Sequence, residues 1–268
     1  MSITKSIPME TRPGLIKFSN RNGEKLAGII EIPKNPNSVV LLMVHGFACD
    51  KNENGLFVEA ARKALDYGYT VFRYDCRGLG ESEGTFENTT LQDHVNDFQD
   101  AIDYIAHHNS VTHSKNLEIG VIGFSLGATI AIMGNSSRIK SLVLWSPALY
   151  PHTDMWPRYN IAPIKAEIEE HGYFIKDGKK VGPRLLNDLR DSDLVPYIER
   201  VKCPTLIVHG SADQKIRMES SEVGIKQFIG HRTRVRIIHG ASHSFKTESK
   251  HRAELFHWTT EWFKIRNF

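Results

Sequence analysis

The sequence predicts an α/β fold, a mostly parallel sheet with helices on both faces, on three observations. Unbroken apolar runs such as Val39 to Val44 and Ile139 to Trp145 have the character of strands buried on both faces. Between such runs the apolar spacing turns helical, so strand and helix alternate along most of the chain and imply right-handed crossovers. The 268 residues, 40% hydrophobic and 24% charged, suffice for one large core. A single domain over 1–268 is therefore expected, with an insertion at about 148–200.

The chain opens antiparallel. Leu15 to Ser19 and Lys25 to Ile32 flank Asn20-Arg21-Asn22-Gly23-Glu24, a hairpin signal because Asn-Gly accepts positive φ. After a turn over Pro33 to Ser38 comes the strand Val39 to Val44, which ends at His45-Gly46-Phe47. Phe57, Val58, Ala61, Ala64 and Leu65 then give a helix that Gly68 ends. Thr70 to Tyr74 is the next strand, followed by a polar turn from Asp75 to Ser82. Leu91, Val95, Phe98, Ile102 and Ile105 repeat at alternating steps of four and three, the clearest amphipathic helix in the chain.

The stretch Leu117 to Ile132 organises the remainder. A strand-like run turns abruptly into a helical one through Gly123-Phe124-Ser125-Leu126-Gly127. Such a bend crowds the backbone, so glycine is needed two positions either side of the serine. The hydroxyl is pushed out at the carboxyl end of the strand, where reacting groups gather in sheets of this kind. Ser125 is the candidate nucleophile. The helix that follows points free amides and a positive dipole end at whatever Ser125 attacks.

Beyond the strand Ile139 to Trp145 the alternation breaks. Trp156-Pro157, Pro163, a helical piece from Ile164 to Glu170 and a hairpin turn at Asp177-Gly178 make up the insertion. Regular order resumes with the strand Thr205 to Val208, a helix around Ser220 to Phe228, the strand Val235 to Ile238 and a final helix carrying Leu255, Phe256, Trp262 and Phe263.

Bulk properties narrow the classes of partner. A net charge of +3 with scattered Lys and Arg lacks the basic stripe of a nucleic-acid binder. Cys49, Cys76 and Cys203 are far apart and without C-x-x-C spacing, so neither a disulfide framework nor a zinc site is suggested. Met1 to Gly14 has no apolar core like that of a leader peptide, and no run approaches membrane-spanning length. A soluble, cytoplasmic protein is expected. The final helix and the insertion are the two faces that could carry a homodimer contact.

A serine hydroxyl is a poor nucleophile at neutral pH and needs an imidazole to take its proton, with a carboxylate to hold that imidazole in the right tautomer. Asp213 follows the strand ending at Val208, and His243 lies in the loop before the last helix. The chain order Ser125, Asp213, His243 is one of the known orders for such a triad. His239 is the rival base, but it lies nearer its strand end. His45 and His209 also sit at strand ends, and since each precedes a glycine they read as turn-packing residues. The oxyanion donors would be the backbone amides of Leu126 and Phe47.

Taken together, His45-Gly46-Phe47, Asp75-x-Arg77-Gly78-x-Gly80-x-Ser82, the Ser125 pentapeptide, His209-Gly210-Ser211-Ala212-Asp213 and Gly240-Ala241-Ser242-His243 resemble the α/β-hydrolase fold. The branch they resemble is that of bacterial esterases, with cinnamoyl (feruloyl) esterases, monoacylglycerol lipases and serine-aminopeptidase-like hydrolases. The resemblance implies an eight-stranded sheet, the Ser125, Asp213, His243 triad, an oxyanion hole at Phe47 and Leu126, and an insertion acting as a lid. It makes the Asp75 to Ser82 segment a structural turn beside the site.

Met155, Trp156, Tyr159, Ile161, Tyr173 and Phe174 give the insertion apolar and aromatic surface suited to an acyl chain or aromatic acid. Trp156, Tyr159, Tyr173 and Phe174 are the candidate substrate contacts. Hydrolysis of a small-molecule ester through an acyl-enzyme is the expected activity, and it requires no metal or organic cofactor. Thioesterase, monoacylglycerol or lysophospholipid hydrolase and aminopeptidase activities are the alternatives within this chemistry. A ligand-binding scaffold is the alternative outside it.

Overall fold

The computed structural model describes residues 14–107, 117–224, 226, 228 and 232–265. Eight strands form the main sheet: β1 (Gly14–Ser19), β2 (Lys25–Glu31), β3 (Val39–Val44), β4 (Thr70–Tyr74), β5 (Glu118–Phe124), β6 (Ile139–Trp145), β9 (Thr205–Gly210) and β10 (Thr233–Ile238). Their order across the sheet is β1-β2-β4-β3-β5-β6-β9-β10. All neighbours are parallel except β2, which runs antiparallel to β1 and to β4. The opening hairpin turns at Gly23 with φ +86°, as the Asn-Gly pair predicts.

The period of two in β3 divides the core. Val40, Leu42 and Val44 join the layer beneath α2 (Leu91–His107) and α3 (Leu126–Met133). Val39, Leu41 and Met43 join the opposite layer, under α1 (Leu56–Asp66) and α10 (Ser249–Ile265). Every residue of β3 is buried, which explains the unbroken apolar run.

The insertion lies between β6 and β9. It holds α4 (Pro151–Asp154), α5 (Trp156–Tyr159), α6 (Ala162–His171), the hairpin β7 (Phe174–Lys176) and β8 (Lys179–Val181), α7 (Pro183–Asp191) and α8 (Val195–Ile198). Asp177 and Gly178 both take positive φ, 49° and 76°, in the two-residue turn read from their dipeptide. Sequence periodicity does not predict α7; it buries Leu185, Leu186 and Leu189 against the main core from a sequence only nine residues long. Asp154 is tied back by the Ser220 hydroxyl at 2.5 Å, from α9 (Met218–Gly224). The helix expected around Ser220 to Phe228 is α9, which begins two residues earlier and ends at Gly224.

The bend at Ser125 depends on its glycines. A Cβ on Gly127 would stand 2.1 Å from the Val44 carbonyl oxygen and 2.5 Å from that of His45, both backbone atoms that cannot step aside. One on Gly123 would stand 2.7 Å from the Ala128 Cα. Alanine in place of glycine inside a helix ordinarily gains up to ~1 kcal/mol. Gly127→Ala is expected to reverse that sign and destabilise the protein by about 3 kcal/mol, as overpacking against fixed atoms does. The midpoint of urea unfolding measures it.

Candidate active site

Ser125 sits between β5 and α3 with φ 54° and ψ −117°, a conformation unfavourable for any residue with a Cβ. The surroundings enforce it: its N–H donates to the Trp145 carbonyl at 3.0 Å, and its own carbonyl accepts from Ala128 and Ala148. Asp213 follows β9, and His243 lies beyond β10 in the loop before α10. The fold thus gathers three residues from three strand ends. His243 Nε2 lies 3.1 Å from Ser125 Oγ, and His243 Nδ1 lies 2.7 Å from Asp213 Oδ2. A carboxylate can only accept, so Nδ1 carries the proton and Nε2 is left to accept from the serine.

Asp213 is saturated with donors. Its Oδ1 accepts the N–H groups of Lys215 at 2.8 Å and Ile216 at 3.0 Å. Its Oδ2 faces His243 and also His209, whose Nε2 stands 3.2 Å away. Burial alone would push this carboxyl up; hydrogen bonds from the two imidazoles, the His243 charge and the Ile216 amide outweigh it and hold the group well below the carboxylate range. Asp213 is thereby fixed as an anion pointing at His243.

His209 does more than pack a turn. Its Nε2–H donates to the Ile216 carbonyl at 2.9 Å and is shared with Asp213, while its Nδ1 accepts from the Ser221 hydroxyl at 2.7 Å. The sequence signal was present, a histidine four residues before the acid, but its partners come from residues with no apolar pattern. His239, the rival base, is exposed.

The loop after β3 is held from both sides of Gly46. The Glu53 carboxylate accepts the Gly46 N–H at 2.7 Å, and His45 Nδ1–H donates to the Gly46 carbonyl at 2.9 Å while its Nε2 accepts the Cys76 N–H at 3.1 Å. Gly46 C=O and Phe47 N–H belong to one planar peptide unit, so fixing the carbonyl fixes the amide. Neither the Phe47 N–H nor the Leu126 N–H has a hydrogen-bond partner among the described residues. Glu53 itself is a residue that motif reading missed: it is buried, takes φ 45°, and burial pushes its carboxyl up against the opposing pull of the Gly46 amide and of His45 and His243. Burial likewise pushes the neighbouring Cys49 thiol up to about 12, which leaves it un-ionised at neutral pH.

A cavity of about 210 Å³ opens over Ser125. Gly46, Phe47, Glu53, Phe124, Ser125 and His243 contribute to its lining from the sheet, and Met155 and Tyr159 from the insertion. Tyr159 packs on Phe47 with ring centroids 5.0 Å apart. The other three aromatic residues expected against substrate lie off the cavity. Phe174 is buried behind Tyr159 at 5.7 Å, Trp156 packs on the core beside Arg190, and Tyr173 lies under the Lys180 ammonium at 4.3 Å. Phe174 and Trp156 fasten the insertion to the core, since large apolar side chains gain most from burial, whereas Tyr173 is half-buried against other insertion residues. Beside Met155 and Tyr159 the insertion and the Asp213 loop present Arg158, Lys176, Lys179 and Lys215, a more polar lining than the apolar surface expected of the insertion.

Residues 35–174 match the family described as serine aminopeptidase, S33. The chain belongs to that family. Among solved structures, this S33 member is similar to Est1E from Butyrivibrio proteoclasticus with bound ferulic acid, at 21% identity and a TM-score of 0.78 over 94% of this chain and 98% of that one. It is also similar to the esterase Pf2001 of Pyrococcus furiosus, at 19% identity and a TM-score of 0.74 over 95% and 91% of the two chains. These likenesses show the α/β-hydrolase fold. Among curated sequences, an uncharacterized Rickettsia prowazekii (strain Madrid E) protein, RP471, is 38% identical over 119 residues, 44% of this chain and 47% of its own length. YfhR of Salmonella typhi is 27% identical over 162 residues, 57% of this chain and 47% of its own. The S33 chain spans about half the length of the curated relatives it matches. Among the described residues, no helix is long and apolar enough to cross a membrane.

Proposed function

We propose that the protein is a serine hydrolase of carboxylic esters. The observation that carries this reading is the hydrogen-bonded line from Ser125 Oγ through both nitrogens of His243 to Asp213, at 3.1 and 2.7 Å. Ser125 attacks the ester carbonyl while His243 Nε2 takes its proton, and the resulting imidazolium is stabilised by the Asp213 carboxylate. The tetrahedral oxyanion is received by the unpartnered N–H groups of Phe47 and Leu126, the second at the start of α3 where the dipole adds to it. His243 then returns its proton to the leaving alcohol. Water, activated in the same way, attacks the acyl-enzyme and releases the acid. The proton that His243 takes from this water restores the Ser125 hydroxyl, so the five residues carry the charge and water supplies the proton that leaves with the alcohol.

The size of the cavity supports a compact ester. Its volume of about 210 Å³ is below the range of roughly 300–1,000 Å³ in which drug-sized ligands are held. A peptide substrate is the alternative that the family's description suggests. Release of an N-terminal residue requires recognition of an ammonium group, and of the three carboxyls facing the cavity Asp177 is engaged by Lys176 and Glu53 by the Gly46 N–H, while four cations share the lining. The test is covalent labelling. A fluorophosphonate is expected to modify Ser125 stoichiometrically with loss of p-nitrophenyl butyrate hydrolysis, read by peptide mass spectrometry. Intact esterase activity with Ser125 unlabelled would dispose of the reading.

A further inference from the structure

The mouth of the cavity carries a local excess of positive charge assembled from three separate segments. Arg158 comes from α5, Lys176 and Lys179 flank the β7–β8 turn, and Lys215 lies two residues beyond Asp213. Three carboxyl groups also face the cavity: Asp50, Glu53 and Asp177. Asp177 is engaged by Lys176, and Glu53 is committed to the Gly46 N–H on the cavity floor. Asp50 accepts the Asn52 N–H at 2.8 Å. Among the described residues Arg158, Lys179 and Lys215 have no carboxylate partner.

Two features separate this rim from ordinary solvated lysines. Part of it is held in place: Arg158 Nη1 donates to the Lys215 carbonyl at 3.4 Å and Lys176 and Lys179 are half-buried, while the Lys215 ammonium is exposed on a backbone fixed by Asp213. They also crowd one carboxylate, since Lys176, Lys215 and Lys179 all hold Asp177 below its ordinary range, the Lys176 hydrogen bond first. Four cations against three carboxyls leave a surplus of one positive charge, and the engagement of Glu53 by the Gly46 N–H and of Asp177 by Lys176 leaves three cations available to a ligand. Cations around a concave site with low-dielectric walls focus their field on its opening.

We propose that the ester hydrolysed at Ser125 carries a negatively charged group, a carboxylate or a phosphate, which Arg158, Lys179 and Lys215 hold at the rim while the carbonyl reaches the nucleophile. This inference rests on the ester-hydrolase reading, and its test separates the two. Hydrolysis of monoethyl glutarate, ethyl pentanoate and ethyl 5-aminopentanoate compares anionic, neutral and cationic substrates of one length. The pentanoyl esters of glycolic acid and of 2-hydroxyethyl phosphate move the anion to the alcohol side and change its chemistry. An exposed ion pair is worth a factor of about 1.5 to 5, so three cations predict a kcat/KM for one anionic series roughly tenfold above the neutral ester, and the cationic ester below it. The advantage is expected to shrink in about 0.5 M salt, and to approach one in a protein combining Arg158→Gln, Lys179→Gln and Lys215→Gln. Which series gains identifies carboxylate or phosphate, acyl or alcohol side. Equal kcat/KM for anionic and neutral esters, with hydrolysis still dependent on Ser125, overturns the inference and leaves the esterase intact. Calorimetric binding of the same compounds to Ser125→Ala decides the matter without turnover: roughly tenfold tighter binding of an anionic ester supports the inference, and equal binding overturns it.

Discussion

Replacing Ser125 by alanine is expected to lower turnover of p-nitrophenyl butyrate by about 10⁴- to 10⁶-fold, with kcat and kcat/KM falling together. The loss is confined to chemistry because little else changes. Alanine has the same Cβ in the same φ 54° conformation, so the backbone cost of the bend is neither relieved nor increased. The hydrogen bond from Ser125 Oγ to His243 Nε2 is lost, and that nitrogen then faces the open cavity, where water can satisfy it. The urea midpoint should therefore stay close to that of the parent. Residual hydrolysis above background would come from binding and from the amides of Phe47 and Leu126, which the substitution leaves in place. Turnover within tenfold of the parent would remove Ser125 from the reaction.

The sheet was legible in the sequence because burial on both faces leaves a one-dimensional trace. Val39–Val44, Thr70–Tyr74 and Ile139–Trp145 are read to the residue from their apolar runs alone. The bend was legible because sterics permit so few residues there, Gly123 and Gly127 above all. The insertion was legible in part: the helix at Ile164 to Glu170 and the Asp177-Gly178 turn were read, the placing of its side chains was not. Its aromatic residues announce burial without saying which side they bury: Phe174 and Trp156 turned toward the core, Tyr173 toward its neighbours in the insertion and Tyr159 toward the cavity. Arg158, Lys179 and Lys215 each read as ordinary surface charges, since their convergence depends on how the insertion folds back over β9. Glu53 escaped for a related reason: a carboxylate seven residues past Gly46 has no motif, and its role follows only from a buried amide that needs an acceptor.

Asp213→Asn isolates a different contribution, the direction of a proton. All four donors around the Asp213 carboxylate are N–H groups: Lys215 and Ile216 on Oδ1, His243 and His209 on Oδ2. An amide has one oxygen, so its NH₂ must face one pair. The backbone N–H groups cannot become acceptors, which directs the NH₂ toward the imidazoles. His243 Nδ1 must then accept, its proton moves to Nε2, and the nitrogen facing Ser125 becomes a donor that cannot act as a base. A fall in kcat of about 10⁴-fold is expected, the scale of such a tautomer reversal, with substrate binding largely kept. The same variant has a stability signature with a definite sign. Because the folded state holds Asp213 below the ordinary carboxylate range, the unfolded chain takes up its proton first as pH falls. The carboxylate's contribution is thus complete above the unfolded value of about 3.9 and is lost as pH drops through the lower folded value. Urea midpoints of parent and variant should differ most at neutral pH and converge below about pH 4. A difference that stays constant across that range would mean that Asp213 is not held as an anion in the folded protein. The His243 tautomer would then need another source.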